Sequence, residues 1–331
     1  MKLGVYNAIL HDRPLEEAIK VIADLGLNGI EISSGGFLPP VHIPEIDQII
    51  ADPAAARAYL ARFDGTGVEI AGLNCNGNPL HPNLIIGDRH AEDVRRSIRA
   101  AAALGQNRVV TMSGLPGGEP GTLHLNWIVN AWNSAALDYR WEIAAKFWSE
   151  IDQLAGDHGV KVVLELHPQN IVFNSRDIRK LMEPPGATNF WVEMDASHLF
   201  WQQADPVDVV RELGSLIFHA AAKDVRINAG NARLNGVLDN GFCRLSPDEP
   251  RVNLGGGEWA NEWPNDSSWD FVALGKGHDV ACWTEFIRVL HDVDPDMCLN
   301  IEHEDTELGR IEGLRVAADV LKSAWVAFQD G

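Results

Sequence analysis

The sequence predicts an α/β chain folded as one (β/α)8 barrel over residues 1–331, and three observations carry that prediction. Short β-branched runs alternate with amphipathic stretches at helical spacing, which means parallel strands joined by helical crossovers. Eight such units fit into 331 residues, a length that suits a closed barrel better than an open doubly wound sheet. Four of the strand-like runs end in carboxylates or imidazoles, and the carboxyl ends of barrel strands are where such folds build their sites.

Taken in order, Lys2 to Tyr6 reads as the first strand, and Leu15, Ala18, Ile19, Ile22 and Leu25 mark one face of a helix over Pro14 to Leu25. Gly26 and Asn28-Gly29 stop that helix before strand two, Gly29 to Ile32. A helix over Asp52 to Phe63 leads to strand three, Val68 to Leu73, and a helix over His90 to Leu104 leads to strand four, Arg108 to Met112. After a loop over Ser113 to Gly121, a tryptophan-punctuated helical region runs from Trp127 to Leu154. Strand five is the β-branched run Val160 to Leu164, and strand six is Phe190 to Met194 after a helix over Asp177 to Met182. Pro206 to Leu213 is helical, strand seven starts at Leu216, and strand eight is Met297 to Glu302. Helices over Val280 to Leu290 and Arg310 to Phe328 flank that last strand. Between Asn228 and Ala273 neither period holds, so a long irregular insertion rich in Trp and Gly is expected after strand seven.

Composition excludes several function classes. With 47 acidic against 27 basic residues the net charge is −20, which repels a phosphate backbone, so no nucleic-acid partner is expected. No apolar run approaches the roughly 18 residues of a membrane span. The four cysteines are dispersed without a CxxC pair, and the first strand starts at once without signal-peptide architecture, so a reduced cytoplasmic location is expected.

The chemistry is concentrated in GVKVVLELHPQN. Glu165 and His167 close strand five two residues apart and therefore share a face. Two ionisable groups at the end of a buried strand are costly unless paired, protonated or metal-bound. Asp195 and His198 follow strand six, His219 lies in strand seven, and Glu302 ends strand eight. Three carboxylates and one imidazole suit one divalent ion such as Mn, Mg, Co or Zn, with Glu165, Asp195, His219 and Glu302 as the expected ligands. A divalent ion on a sugar carbonyl acidifies the adjoining C–H, and Glu165 and Glu302 are placed to move that proton. His167 is the further proton carrier. Asn74 in the loop after strand three is a candidate substrate contact, and the amides of Gly275 to Asp279 could hold a sugar hydroxyl or phosphate. Glu193 is expected to pair with Lys223, and His303 to pack between strand and helix.

The ordered motifs ELHP, MDASH, HAAAKDVR and NIEHED resemble the xylose isomerase-like barrels of the sugar phosphate isomerase/epimerase superfamily, over essentially the whole chain. The resemblance implies metal ligands at Glu165, Asp195 and Glu302, a substrate-contacting histidine at His198, and a basic substrate contact at Arg226 with Lys223 nearby. Strand seven departs from it. The family reads HxHxKD with the second histidine on the metal, whereas position 221 here is Ala. His219 shares the face of that position, and His198 and His278 are the other sources of a nitrogen ligand. The implied activity is isomerisation or epimerisation of a sugar or keto-sugar. The alternative is a catalytic subunit that cleaves 3-keto-glycosides or dehydrates keto-inositols, with a small partner subunit or a second copy of the chain on the tryptophan-rich insertion.

Overall fold

The computed structural model describes residues 1–127, 133–183, 187–238, 246, 248, 253–255, 258–259, 266–305 and 307–331. Eight strands form the closed barrel: β1 Lys2–Tyr6, β2 Gly29–Ser33, β3 Glu69–Asn74, β4 Arg108–Met112, β5 Lys161–Glu165, β6 Phe190–Asp195, β7 Ile217–Ala222 and β8 Cys298–Ile301. Each pairs in parallel with its neighbours, and β8 closes the ring against β1. Buried on both faces, the strands read as the near-continuous Val, Ile and Leu runs seen in the sequence. The crossover helices bury the stripe that their periodicity marks, such as Leu15, Ala18, Ile19 and Ile22 in Leu15–Asp24.

Elsewhere the chain differs from its pattern for local reasons. The helix before β4 starts at Leu84 rather than His90, because the Asn83 side chain accepts from the Ile85 N–H and caps it there. A helix at Ile46–Ala51 was not expected, since six residues are too few to carry a period. The helix before β5 is Ser134–His158, capped by Asn133, and residues 128–132 of the expected span lie outside the described ones.

The segment expected to be irregular holds more order than its sequence suggests. Asp224–Ile227 pairs antiparallel with Trp269–Val272, and a short helix, Ala229–Asn235, follows the first of these strands. Four-residue strands leave too little alternation to read. Trp269 stacks on Trp201 with ring centroids 4.9 Å apart, which ties this ribbon to the barrel mouth. None of the described helices is long and apolar enough to cross a membrane.

One close approach in the barrel wall depends on glycine. A Cβ at Gly4 would lie 2.3 Å from Asn300 Oδ1 and 2.5 Å from the Gly29 carbonyl oxygen. Gly4→Ala is therefore expected to destabilise the fold by about 1–3 kcal/mol, the range for overpacking. Urea unfolding checks this, and an unchanged midpoint would show that β2 and Asn300 give way freely.

Candidate active site

Strand five delivers its groups through a sharp local turn. Glu165 ends β5 with 1% of its surface exposed, and Leu166-His167-Pro168 follows before Gln169, which takes a left-handed φ of 65°. Pro168 cannot donate to a ladder and so ends the strand. The His167 Nδ1 faces the Pro168 carbonyl oxygen, and its ring centroid lies 4.0 Å from that of His198.

Strand six ends differently. Asp195 caps the five-residue helix Ala196–Phe200, its Oδ1 accepting from the Ser197 N–H at 2.8 Å. One carboxylate oxygen is thus committed to the cap, and Oδ2 is left to the site. His198, three residues on, is carried back over the strand ends by the helical turn. Its Nε2 lies 3.1 Å from Glu165 Oε1 and 3.4 Å from Asp195 Oδ2.

These three atoms are buried and, among the described residues, none is in hydrogen-bonding geometry with a partner. Burial opposes ionisation of Glu165, but His198, His167 and Lys223 outweigh it and hold its carboxyl down to about 2. Burial lifts Asp195 to about 7 against the pull of Lys223. Burial, with His167 beside it, lowers His198 to about 3, so its imidazole is neutral at pH 7. Glu165 Oε2 accepts from Asn76 Nδ2 at 2.6 Å, and the Asn76 N–H donates to Asn74 Oδ1 at 2.9 Å. Asn74, expected to touch substrate, donates its amide to Glu31 Oε1 at 2.7 Å and so positions Asn76.

His219 is not brought to Glu165 and Asp195. It lies in register with Glu193, whereas Asp195 faces Ala221 across the β6–β7 ladder. Its Nε2 sits 2.8 Å from Glu31 Oε2 and 2.9 Å from Asn300 Nδ2, in a fully buried layer below the mouth. Burial opposes the Glu31 charge, but His219, Asn74 and Asn300 outweigh it and lower its carboxyl. Glu193 joins this layer. Burial, then the charges of Glu31 and Glu165, push it well above its usual range.

Lys223 does not pair with Glu193. Its ammonium lies 2.9 Å from Glu302 Oε1 and 2.7 Å from Glu304 Oε1. Burial works against that charge, yet Glu302, Glu304, Asp195 and Glu165 outweigh it and raise it well above its usual range. Arg226 is drawn away from the mouth by the antiparallel ribbon and bonds Asp270 at 3.2 Å and Glu307 at 2.9 Å. The turn amides expected to hold a sugar group are already taken. Gly275, Gly277 and His278 each donate a backbone N–H to Asp224 Oδ2 at 3.0 Å, and His278 Nδ1 meets Asp224 Oδ1 at 2.7 Å. His278 is thereby engaged away from Glu165. His303 packs against Gly313, where a Cβ would come within 2.1 Å of its ring.

Glu31, Asn300 and Glu304 are the members that sequence reasoning passed over. Glu31 stands between two isoleucines of a buried strand, and Glu304 shares the alternation of Glu302, so both left a signal. The donor types of the upper cluster suit a divalent ion: His198 Nε2 lies within 3.4 Å of both Glu165 Oε1 and Asp195 Oδ2, and all three are buried without a hydrogen-bond partner among the described residues. Glu165, His167 and His198 can each offer a ligand atom within 4.8 Å of the others, as can Glu31, Glu193 and His219 below them.

Known proteins agree with this architecture. The chain is 30% identical to the uncharacterised Bacillus subtilis protein YfiH, over 97% of this chain and 98% of that one. An inosose dehydratase of Clostridium beijerinckii is 23% identical over 163 residues, 49% of this chain and 51% of the dehydratase. Among solved structures, a D-tagatose 3-epimerase-like protein superposes with a TM-score of 0.63 at 18% identity, covering 100% of this chain and 99% of that one. A probable 3-DHS dehydratase of Bacillus anthracis gives 0.62 at 16% identity, over 97% and 99%. The IolI protein, solved with a bound zinc atom, gives 0.59 at 15% identity, over 99% of both chains. At these identities the structural likeness shows the fold alone. The sequence profile of the xylose isomerase-like TIM barrel (AP_endonuc_2) matches residues 19–324, nearly the whole chain, and the protein belongs to that family.

Proposed function

We propose that the chain is a divalent-metal-dependent isomerase or epimerase, moving a proton beside the carbonyl of a sugar or keto-sugar. The observation that carries this reading is the trio of buried, unsatisfied atoms on Glu165, Asp195 and His198 at the barrel mouth. When bound, the ion supplies Lewis-acid polarisation of a carbonyl, which acidifies the neighbouring C–H. Glu165, ionised at neutral pH, accepts that proton. Glu302 comes from the end of β8, with β6 and β7 between it and Glu165 in the ring, and in its protonated form, which burial favours against the pull of Lys223, it would return a proton from the other side. Lys223 holds Glu302 in place through Oε1. Lys223 is engaged by Glu302 and Glu304, and Arg226 is held away from the mouth by Asp270 and Glu307, which supports an unphosphorylated substrate.

Elimination from a 3-keto-glycoside or keto-inositol is the second reading. The same first proton transfer starts it, and the partial match to inosose dehydratase supports it. A panel of ketohexoses, 3-keto-glucosides and inososes, followed by product analysis, separates the two. Inversion or carbonyl migration is the expected result, release of water or an aglycone would favour the second reading, and no change in any member would sink both.

A further inference from the structure

We propose that Asn76 accepts a hydroxyl of the substrate while it orients Glu165, so that the sugar must carry a free hydroxyl on, or next to, the carbon that gives up its proton. The inference rests on the proton-transfer reading above and narrows its substrate class.

Three observations carry it. The first is that the Asn76 amide has one settled orientation. Its Nδ2 lies 2.6 Å from Glu165 Oε2, and a carboxylate oxygen accepts, so the amide nitrogen and not the oxygen must stand there. The second is that Oδ1, on the other arm of the amide, is buried and has no hydrogen-bond partner among the described residues. A buried acceptor left unpaired is costly, so this atom beside the catalytic carboxylate calls for a donor from outside the chain.

The third is that the residue is held still. Its backbone N–H donates to Asn74 Oδ1 at 2.9 Å, and the Asn74 amide is fixed in turn on Glu31 Oε1 at 2.7 Å. Its carbonyl oxygen accepts from the Phe37 N–H at 2.8 Å. Gly36, at a left-handed φ of 84°, packs so close that a Cβ there would collide with that oxygen. Asn76 therefore presents a rigid acceptor, and little ordering is needed when a ligand arrives.

Reach follows from the geometry. The oxygen and nitrogen of one amide stand about 2.3 Å apart, so Asn76 Oδ1 is no more than about 5 Å from Glu165 Oε2. A carbon that yields its proton to Glu165 stands about 3–3.5 Å from the carboxylate. The hydroxyl on that carbon, or on its neighbour, can then come within hydrogen-bonding distance of Oδ1. Glu165 Oε1 faces His198 instead, so Asn76 and the metal-type donors take different oxygens of the same carboxylate. An amide oxygen accepts and never donates. It selects a hydroxyl over a hydrogen, a ketone oxygen or a phosphate ester at that position.

The test crosses Asn76 variants with sugars that lack one hydroxyl. D-fructose, methyl 3-keto-glucoside and scyllo-inosose, each with its monodeoxy analogues, are compared by kcat/KM for deuterium wash-in from heavy water. Wild type is set against Asn76→Ala and Asn76→Ser, each checked for a wild-type melting curve. At one hydroxyl position the wild-type preference for parent over deoxy sugar is expected to shrink about 3–10-fold in the variants, the worth of one neutral hydrogen bond. An Asn76 that only positions Glu165 would slow parent and deoxy sugars alike. A preference unchanged at every position would thus overturn the hydroxyl contact and leave the proposed function standing. Failure of the wild type to exchange any of the three parent sugars would overturn both.

Discussion

Glu165→Gln is expected to lower turnover by about 10²–10⁴-fold, the range for a proton-transferring side chain. The carboxylate is the group that all parts of the upper cluster share: Asn76 donates to its Oε2, His198 faces its Oε1, and His167 lies beside it. Glutamine keeps the shape and can still accept from Asn76 through its amide oxygen, so the fold should survive. What disappears is the charge that receives a proton and attracts a cation. The loss should fall on kcat as well as kcat/KM and be measured below the variant's own melting temperature, which should drop because the lowered carboxyl contributes stability at neutral pH. A variant that retains its activity would remove Glu165 from the chemistry, whatever its place in the cluster.

Lys223→Met should have the largest effect on stability. The lysine is 3% exposed, and its ammonium is the counter-charge of Glu302 and Glu304, with Asp195 and Glu165 acting on it as well. Removing one partner of a buried pair leaves uncompensated charge and costs about 3–5 kcal/mol. The lower end applies, because Glu304 is 47% exposed and water screens part of the effect. Because the folded pKa of Lys223 is raised, the stability it contributes is fully present below the unfolded value of about 10.4 and is lost as pH rises through the folded one. The difference between wild type and Lys223→Met in urea unfolding should therefore be undiminished at pH 7 and 8. A difference below about 1 kcal/mol, as for surface pairs, would mean that the ammonium is solvated rather than built in.

Much of this was legible in the chain, and the gaps have physical causes. Alternating strand and helix patterns mark the barrel because each strand is buried on both faces, and the run from Val160 to Leu164 is as clear in three dimensions as in one. Alternation also fixes which face a side chain takes, and so Glu165, Asp195 and Lys223 all face the interior or the mouth. It does not fix depth. His219 and Ala221 share a face, yet the β6–β7 register sets His219 beside Glu193, one layer below Asp195. The same limit hid Glu31 and Asn300, which hold His219 there. Arg226 followed strand seven as expected, but the ribbon formed with Trp269–Val272 turned it toward Asp270 and Glu307. The Gly275–Asp279 turn was expected to offer its amides to a sugar hydroxyl or phosphate, but those of Gly275, Gly277 and His278 are spent on a carboxylate of the chain itself, that of Asp224.

Proton removal beside a carbonyl, dependent on a divalent ion, is the central claim. Exchange of a substrate C–H for deuterium in heavy water, followed by NMR for the ketohexoses, 3-keto-glucosides and inososes, tests it most directly. Wash-in at one carbon next to the carbonyl, abolished by a chelator and by Glu165→Gln and restored by adding zinc or cobalt to the chelated enzyme, is the predicted result. Turnover of a substrate with no deuterium at that carbon, or exchange indifferent to the chelator, would contradict it.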